Sequence, residues 1–195
     1  MGEKYWNISQ AVCDRIARNG NRLFLVSDHT ITWRKLERKT KWNDVNMVIP
    51  LLFNFYHGLE LILKGFVIAS EGKSAKLNHG LTQLYHKFIK NYKNQTKLNK
   101  FFSKYLDKTQ MPSLLLDFLT HNKLSVDRFY ESLRYPFDLN LSNEYQHFVL
   151  KYQGTNGIQF YRSMSKDIRE MMKLIVALGY SLETNCRTCL QPDAD

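Results

Sequence analysis

Cysteine is scarce. Cys13, Cys186 and Cys189 are the only three among 195 residues, too few and too odd a number for a disulfide scaffold. With only four prolines and nine glycines, the chain shows no low-complexity linker and no internal repeat. The opening MGEKYWNISQ has no apolar run behind a basic one, so no secretory leader is visible. P-loop, G-x-G-x-x-G, G-x-S-x-G and H-E-x-x-H patterns are all missing, and Asn156-Gly157 reads as a turn rather than a phosphate cradle. Acids are outnumbered: 18 Asp and Glu stand against 28 Lys and Arg, a net charge of +10. That excess permits long-range attraction to RNA, DNA, nucleotides or an anionic surface without choosing among them.

Apolar residues make up 44% of the chain, with 12 Phe, 11 Tyr and 3 Trp. Such a chain is not disordered and buries a core without covalent staples. Its length fits one domain. Residues 47–69 are long enough to span a bilayer, but they hold His57, Glu60 and Lys64. Each charge at a membrane centre costs about 2.5–3.5 kcal/mol on insertion scales. The expectation is a buried helix, a cytoplasmic protein and no membrane contact.

Helical periodicity runs through most of the chain. Tyr5, Ile8, Val12 and Ile16 mark a first helix over 4–18, closed by Asn19-Gly20-Asn21. A long helix is expected over 43–69, with Pro50 at a kink or in its first turns. Further helices are expected over 79–92, 95–107, 112–121 and from Ser125 to the stop at Pro136, then over 158–179. The β-branched and aromatic run RLFLVSDHTITWR, 22–34, reads as a short hairpin or a helical extension. Residues 137–153 read as a strand or loose hairpin arm. Short connections imply antiparallel neighbours. The expected fold is all-α, an up-and-down antiparallel helical bundle with a small irregular or β-hairpin insertion. Its parts are an N-terminal helix and hairpin over 1–44, a helical domain over 45–180 and a flexible tail over 181–195.

The segment FNFYHGLELILKGFVIA, 53–69, sets opposite charges into apolar sequence. Glu60 and Lys64 are four apart with Glu N-terminal, the favourable order for a helical pair. His57 falls on the same face, leaving one narrow polar strip. That strip either faces water as a simple ion pair or meets polar groups on a neighbouring element, and the second arrangement would set it against the Arg134 region.

Three stretches in order, GLELILKGFVIA (58–69), LNHGLTQLYHKF (77–88) and VDRFYESLRYPFD (126–138), resemble the HEPN domain family. In that family a long helix carries such a Glu and Lys, the next helix starts at a His like His79, and a later one ends Leu-Arg-Tyr-Pro, as at 133–136. The resemblance covers residues 45–180. It implies a helical bundle, often a homodimer. It also implies either a metal-independent ribonuclease of toxin–antitoxin or defence systems, or an inactive module binding nucleic acid, a nucleotide or a partner protein. A nucleotidyltransferase or antitoxin is the partner it would imply. No cofactor and no metal are expected.

Active members carry Arg-x(4–6)-His on a late helix. Cleavage by the 2′-hydroxyl needs an acid or base near neutral pH, which His supplies, and fixed positive charge, which Arg supplies. This chain departs from the pattern. No His follows Arg134 until His147, thirteen positions on and beyond Pro136. The one formal match, Arg22 with His29, lies near the N-terminus, outside the helix the motif occupies. Arg134 with His147 or His79 remains as a pair that the fold would have to bring together.

Lys87, Lys90, Lys93, Lys97, Lys100, Lys104 and Lys108 recur every three or four residues. From Gly72 to Leu116 there are nine lysines and one acid, a local charge of +8. The stripe is either a phosphate-contacting face or the solvated side of two amphipathic helices whose aromatics form core. Cys186-x2-Cys189 lacks the second pair a zinc site would need, and reads as two thiols in the tail. His29, His86 and His121 stand alone and read as structural or exposed.

Overall fold

The computed structural model of the protein describes residues 1–25, 27–72, 75, 79–138 and 140–188, the last four of them by backbone alone. Helices follow one another as α1 (Gly2–Arg18), α2 (Trp33–Thr40), α3 (Asp44–Glu71), α4 (Leu81–Asn91), α5 (Thr96–Leu106), α6 (Ser113–His121), α7 (Val126–Ser132) and α8 (Ile158–Thr188). Short 3-10 turns at His147–Leu150 and Gly154–Gly157 precede α8. The fold is an all-α helical bundle, with no strand among the described residues.

Helix α3 is the axis. Val48, Leu51, Leu52, Phe55, Tyr56, Leu59, Leu63 and Val67 are buried on it, so apolar side chains point most of the way round. A helix of that composition has to be enclosed. Helices α1, α4 and α7 pack on it, and α8 packs on α1. By length and composition α3 would also cross a membrane, but 61% of its most apolar window is covered by the protein itself. Pro50 lies inside α3, which runs on unbroken through it.

The start of α3 is locked by polar groups. Asn43 caps it, its side chain accepting from the Asn46 N–H at 3.1 Å. The buried Asp44 carboxylate accepts from Asn21 Nδ2 at 2.9 Å and from the Gln153 N–H at 2.7 Å. Asn21 Oδ1 in turn accepts from the Asp44 N–H at 2.7 Å. One node thus joins the chain after α1, the start of α3 and the approach to α8.

Helices α1 and α3 cross very closely because glycine sits on both. A Cβ on Gly58 would come within 2.6 Å of Trp6 Cδ1 and 2.9 Å of the Gly2 carbonyl oxygen. Trp6 uses that room to stack on Phe55 and to donate from Nε1 to the Phe55 carbonyl at 3.0 Å.

Several expectations are corrected. The buried face of α1 is Trp6, Ser9, Val12, Cys13 and Ile16, while Ile8 is 51% exposed. Tyr5, Val12 and Ile16 predict a stripe that the crossing at Gly58 rotates toward Trp6. No hairpin forms at 22–34 among the described residues: the chain is irregular to Thr32 and then enters α2. A two-stranded hairpin with no third strand or helix to cover it is marginal in water. Among the described residues of 137–153 the one β contact is an antiparallel bridge, Phe137–Glu144. The chain beyond Ser181 stays helical to Thr188 rather than turning into a loose tail. The Cys186 side chain and Cys189 lie outside the described residues.

Two glycines on α3 are expected to behave oppositely. Gly58→Ala forces the α1 crossing apart and should destabilise by about 1–3 kcal/mol. Gly65→Ala meets nothing within 4 Å and should stabilise by up to about 1 kcal/mol through helix propensity. Chemical denaturation of the two variants beside the parent checks both signs.

Candidate functional site

The polar strip of α3 converges on one buried carboxylate. Glu60 is 3% exposed. Its Oε1 accepts from Lys64 Nζ at 2.7 Å and from His79 Nδ1 at 2.8 Å, while Oε2 lies 3.8 Å from His57 Nδ1. Lys64 and His57 arrive from the same helix, one turn to either side. His79 comes from the connection leading into α4.

Helix α7 completes the group. Ser125 caps it, accepting from the Arg128 N–H at 3.2 Å; Tyr130 lies on the helix and Arg134 in the turn just after its end. The Tyr130 hydroxyl lies 2.8 Å from His57 Nδ1. The Arg134 guanidinium sits over the Tyr130 ring, 4.4 Å from its centroid. Phe53 stacks on both His57 and Tyr130, and the Tyr5 ring meets His57 edge-on at 4.6 Å. These rings hold the His57 imidazole between α1, α3 and α7.

Chemistry fixes several protonation states. A carboxylate only accepts, so His79 donates from Nδ1, and in the neutral ring Nε2 carries the lone pair. The His79 side chain is 83% exposed. Burial pushes the Glu60 carboxyl up, but hydrogen bonds from Lys64 and His79, the Lys64 charge and Tyr130 outweigh it and hold the carboxyl below its ordinary value. Burial, together with the Glu60 charge, raises Tyr130 to about 12 against the opposing Arg134, so the phenol keeps its proton. The result is a surface group with one buried anion, an oriented imidazole and an exposed guanidinium that has no carboxylate partner among the described residues.

His147 is held elsewhere. A backbone carbonyl also only accepts, so His147 Nε2 donates to the Ser132 carbonyl at 2.8 Å, and the ring stacks on Phe118. Burial is the largest influence on it and lowers its basicity. The ring pins the 147–150 turn to the end of α7. Of the Arg134, His79 and His147 set, His79 sits on Glu60, Arg134 is linked to it only through Tyr130 and His57, and His147 stands apart. Tyr130, Phe53 and Tyr5 are the members that sequence reasoning missed. The available signal was spacing: Tyr130 is four before Arg134, and Phe53 is four before His57.

The lysine stripe divides between α4 and α5, which a turn at 92–95 separates. Lys90, Lys93, Lys97, Lys100 and Lys108 are exposed. Lys87 pairs with Glu71 at 2.8 Å, and Lys104 pairs with Asp167 and donates to Ser163 Oγ at 3.0 Å. The interleaved Tyr85, Phe88, Phe101, Phe102 and Tyr105 are buried core. No group of three or more His, Cys, Asp or Glu side chains placed to hold a metal ion occurs among the described residues.

Removing the carboxylate leaves a half-buried lysine and an untethered His79. Glu60→Ala should cost about 2–3 kcal/mol at neutral pH, against no more than about 0.5 kcal/mol for an exposed substitution. A carboxyl depressed by folding stabilises above its unfolded-state value and loses that contribution as pH falls through its folded value. Stability measured from pH 7 down to pH 3 should therefore fall more steeply in the parent than in Glu60→Gln. Equal slopes would mean that Glu60 is not held charged by its neighbours.

Compared with known proteins, the chain matches no family model, no curated protein and no solved structure.

Proposed function

We propose that this protein is a HEPN-like helical module that binds RNA through exposed cations, with the Arg134 and His79 face as its recognition site. The observation that carries the reading is the Arg134 guanidinium, exposed and stacked on Tyr130, whose hydroxyl meets His57 at the edge of the group in which buried Glu60 orients the His79 imidazole. A planar fork fixed in this way suits a phosphate oxygen pair. Lys90, Lys93, Lys97 and Lys100 add exposed positive charge on α4, the turn after it and α5, a charge that gives affinity without sequence choice. The absent Arg-x(4–6)-His favours binding over cleavage. A second copy of the chain is the partner that the family resemblance suggests.

One observation favours a catalytic reading as well. His79 Nδ1 is committed to Glu60, so Nε2 is free to take a proton from a 2′-hydroxyl while Arg134 meets the charge developing on phosphorus. That would be a metal-independent ribonuclease in which His79, from the connection before α4, takes the acid–base role that the family motif gives to a histidine on a late helix.

A labelled single-stranded RNA, titrated in EDTA at two salt concentrations, tests both. Binding should weaken steeply with salt, and each phosphate-contacting cation removed, Arg134→Ala first, should flatten the log–log slope by about 0.7. No binding at low salt would overturn the proposal. Cleavage in EDTA that disappears in His79→Ala and in Arg134→Ala would select the ribonuclease.

A further inference from the structure

Helix α4 begins without a cap of its own. Gly80 stands at its N-cap with no side chain to offer, and its first turn carries no acid. The first N–H groups of a helix need acceptors from outside it. One of them, the Thr82 N–H, finds its acceptor on another helix: Asp127 Oδ1 takes it at 3.0 Å. Asp127 lies in the first turn of α7, so one carboxylate stands by the positive starts of two helices. It ties the start of α4 to the start of α7.

That tie closes a ring through the candidate site. Glu60 on α3 accepts from His79 at 2.8 Å, and His79 directly precedes Gly80 and α4. Thr82 then donates across to Asp127. At about 100° per residue, Asp127 and Tyr130 share one side of α7. The Tyr130 hydroxyl lies 2.8 Å from His57 Nδ1, and His57 is back on α3, one turn before Glu60. Within this ring the His79 side chain is 83% exposed, so packing does little to hold it. Its orientation depends on where the backbone at 79–80 is fixed.

We propose that Asp127 is a positioning residue of the candidate site: by capping α4 from α7 it holds the backbone at 79–80 where the His79 imidazole meets Glu60. Its bearing on RNA rests on the His79 face being the recognition site. Its hold on His79 does not.

The ring of His79 reports the outcome directly. In a neutral imidazole, the hydrogen bond made at one nitrogen decides where the proton sits. Long-range proton–nitrogen correlation spectra of the full chain, labelled at histidine and held at about pH 8.5 where neutral imidazoles predominate, separate a proton on Nδ1 from one on Nε2. His79→Gln assigns the signals. In the parent, His79 should carry its proton on Nδ1. Asp127→Ala should abolish that preference. Asp127→Asn, whose amide oxygen can still accept from Thr82, should restore it. Asn43→Ala removes a cap of the same kind at the start of α3 and should leave the His79 ring unchanged. In the unmodified protein the Thr82 amide should be protected from hydrogen exchange, a measurement that holds even where Asp127→Ala does not fold. The proposal is overturned if Asp127→Ala keeps the Nδ1 proton, if Asp127→Asn fails to restore it, if Asn43→Ala loses it equally, or if the Thr82 amide exchanges freely. RNA binding separates this from the reading of the site. A His79 ring released by Asp127→Ala, with RNA binding unchanged, would keep Asp127 in its role and remove His79 from the recognition surface.

Discussion

Helix α3 has almost no side that can be left in water, and that constraint organises the molecule. Its partners are fixed by what each can bring close. Helix α1 crosses over glycine so that Trp6 can lie flat on Phe55. Tyr56 donates to the Tyr105 carbonyl at 3.0 Å, which ties α5 into the same core. The one strip on which α3 is polar must then open onto the surface or be matched by polar neighbours. It does both. Glu60 is covered and satisfied, while His79 and Arg134 stand at the rim. The candidate site is therefore a consequence of the packing: charges sit where the wall of helices around α3 has a gap.

The basic charge is distributed by the same logic. Lysines that fall near an acid on a neighbouring helix become part of the scaffold, as Lys87 does with Glu71 and Lys104 with Asp167. Those that fall on the outer sides of α4, α5 and α2 have no such neighbour among the described residues and remain exposed. Periodic lysine spacing alone does not sort these two fates. The sorting depends on where α3 and α8 place their carboxylates.

Local signals carried much of the helical pattern. Asn43 and Ser125 each precede a helix and each caps it, because a side-chain oxygen there meets an N–H that the helix leaves free. The polar strip could be seen in the spacing of His57, Glu60 and Lys64. What escaped was set by contacts between distant parts of the chain. The choice between Ile8 and Trp6 on α1 is decided by Gly58, 52 residues away from Trp6. Tyr130 carries no charge that would mark it in the sequence, yet its hydroxyl faces His57 from a helix 73 residues on. The run 22–34 had the composition of strands, but the fold offers it no sheet to join, and the lysine- and arginine-rich residues that follow Trp33 form helix instead.

The Asp44 node and the packing of α1 have a consequence for synthesis. Helix α1 is made before α8, yet α8 covers one side of it, and Ser165 donates to Asp14 at 2.6 Å across 151 residues. Gln153, which completes the Asp44 cage, also comes late. On a ribosome, α1 can settle onto α3 early, but the face that α8 will cover waits until most of the chain has emerged. The nascent protein therefore carries an unfinished apolar surface through most of its translation. A chaperone that holds such surfaces would find it on α1, well before the residues of α8 that close it.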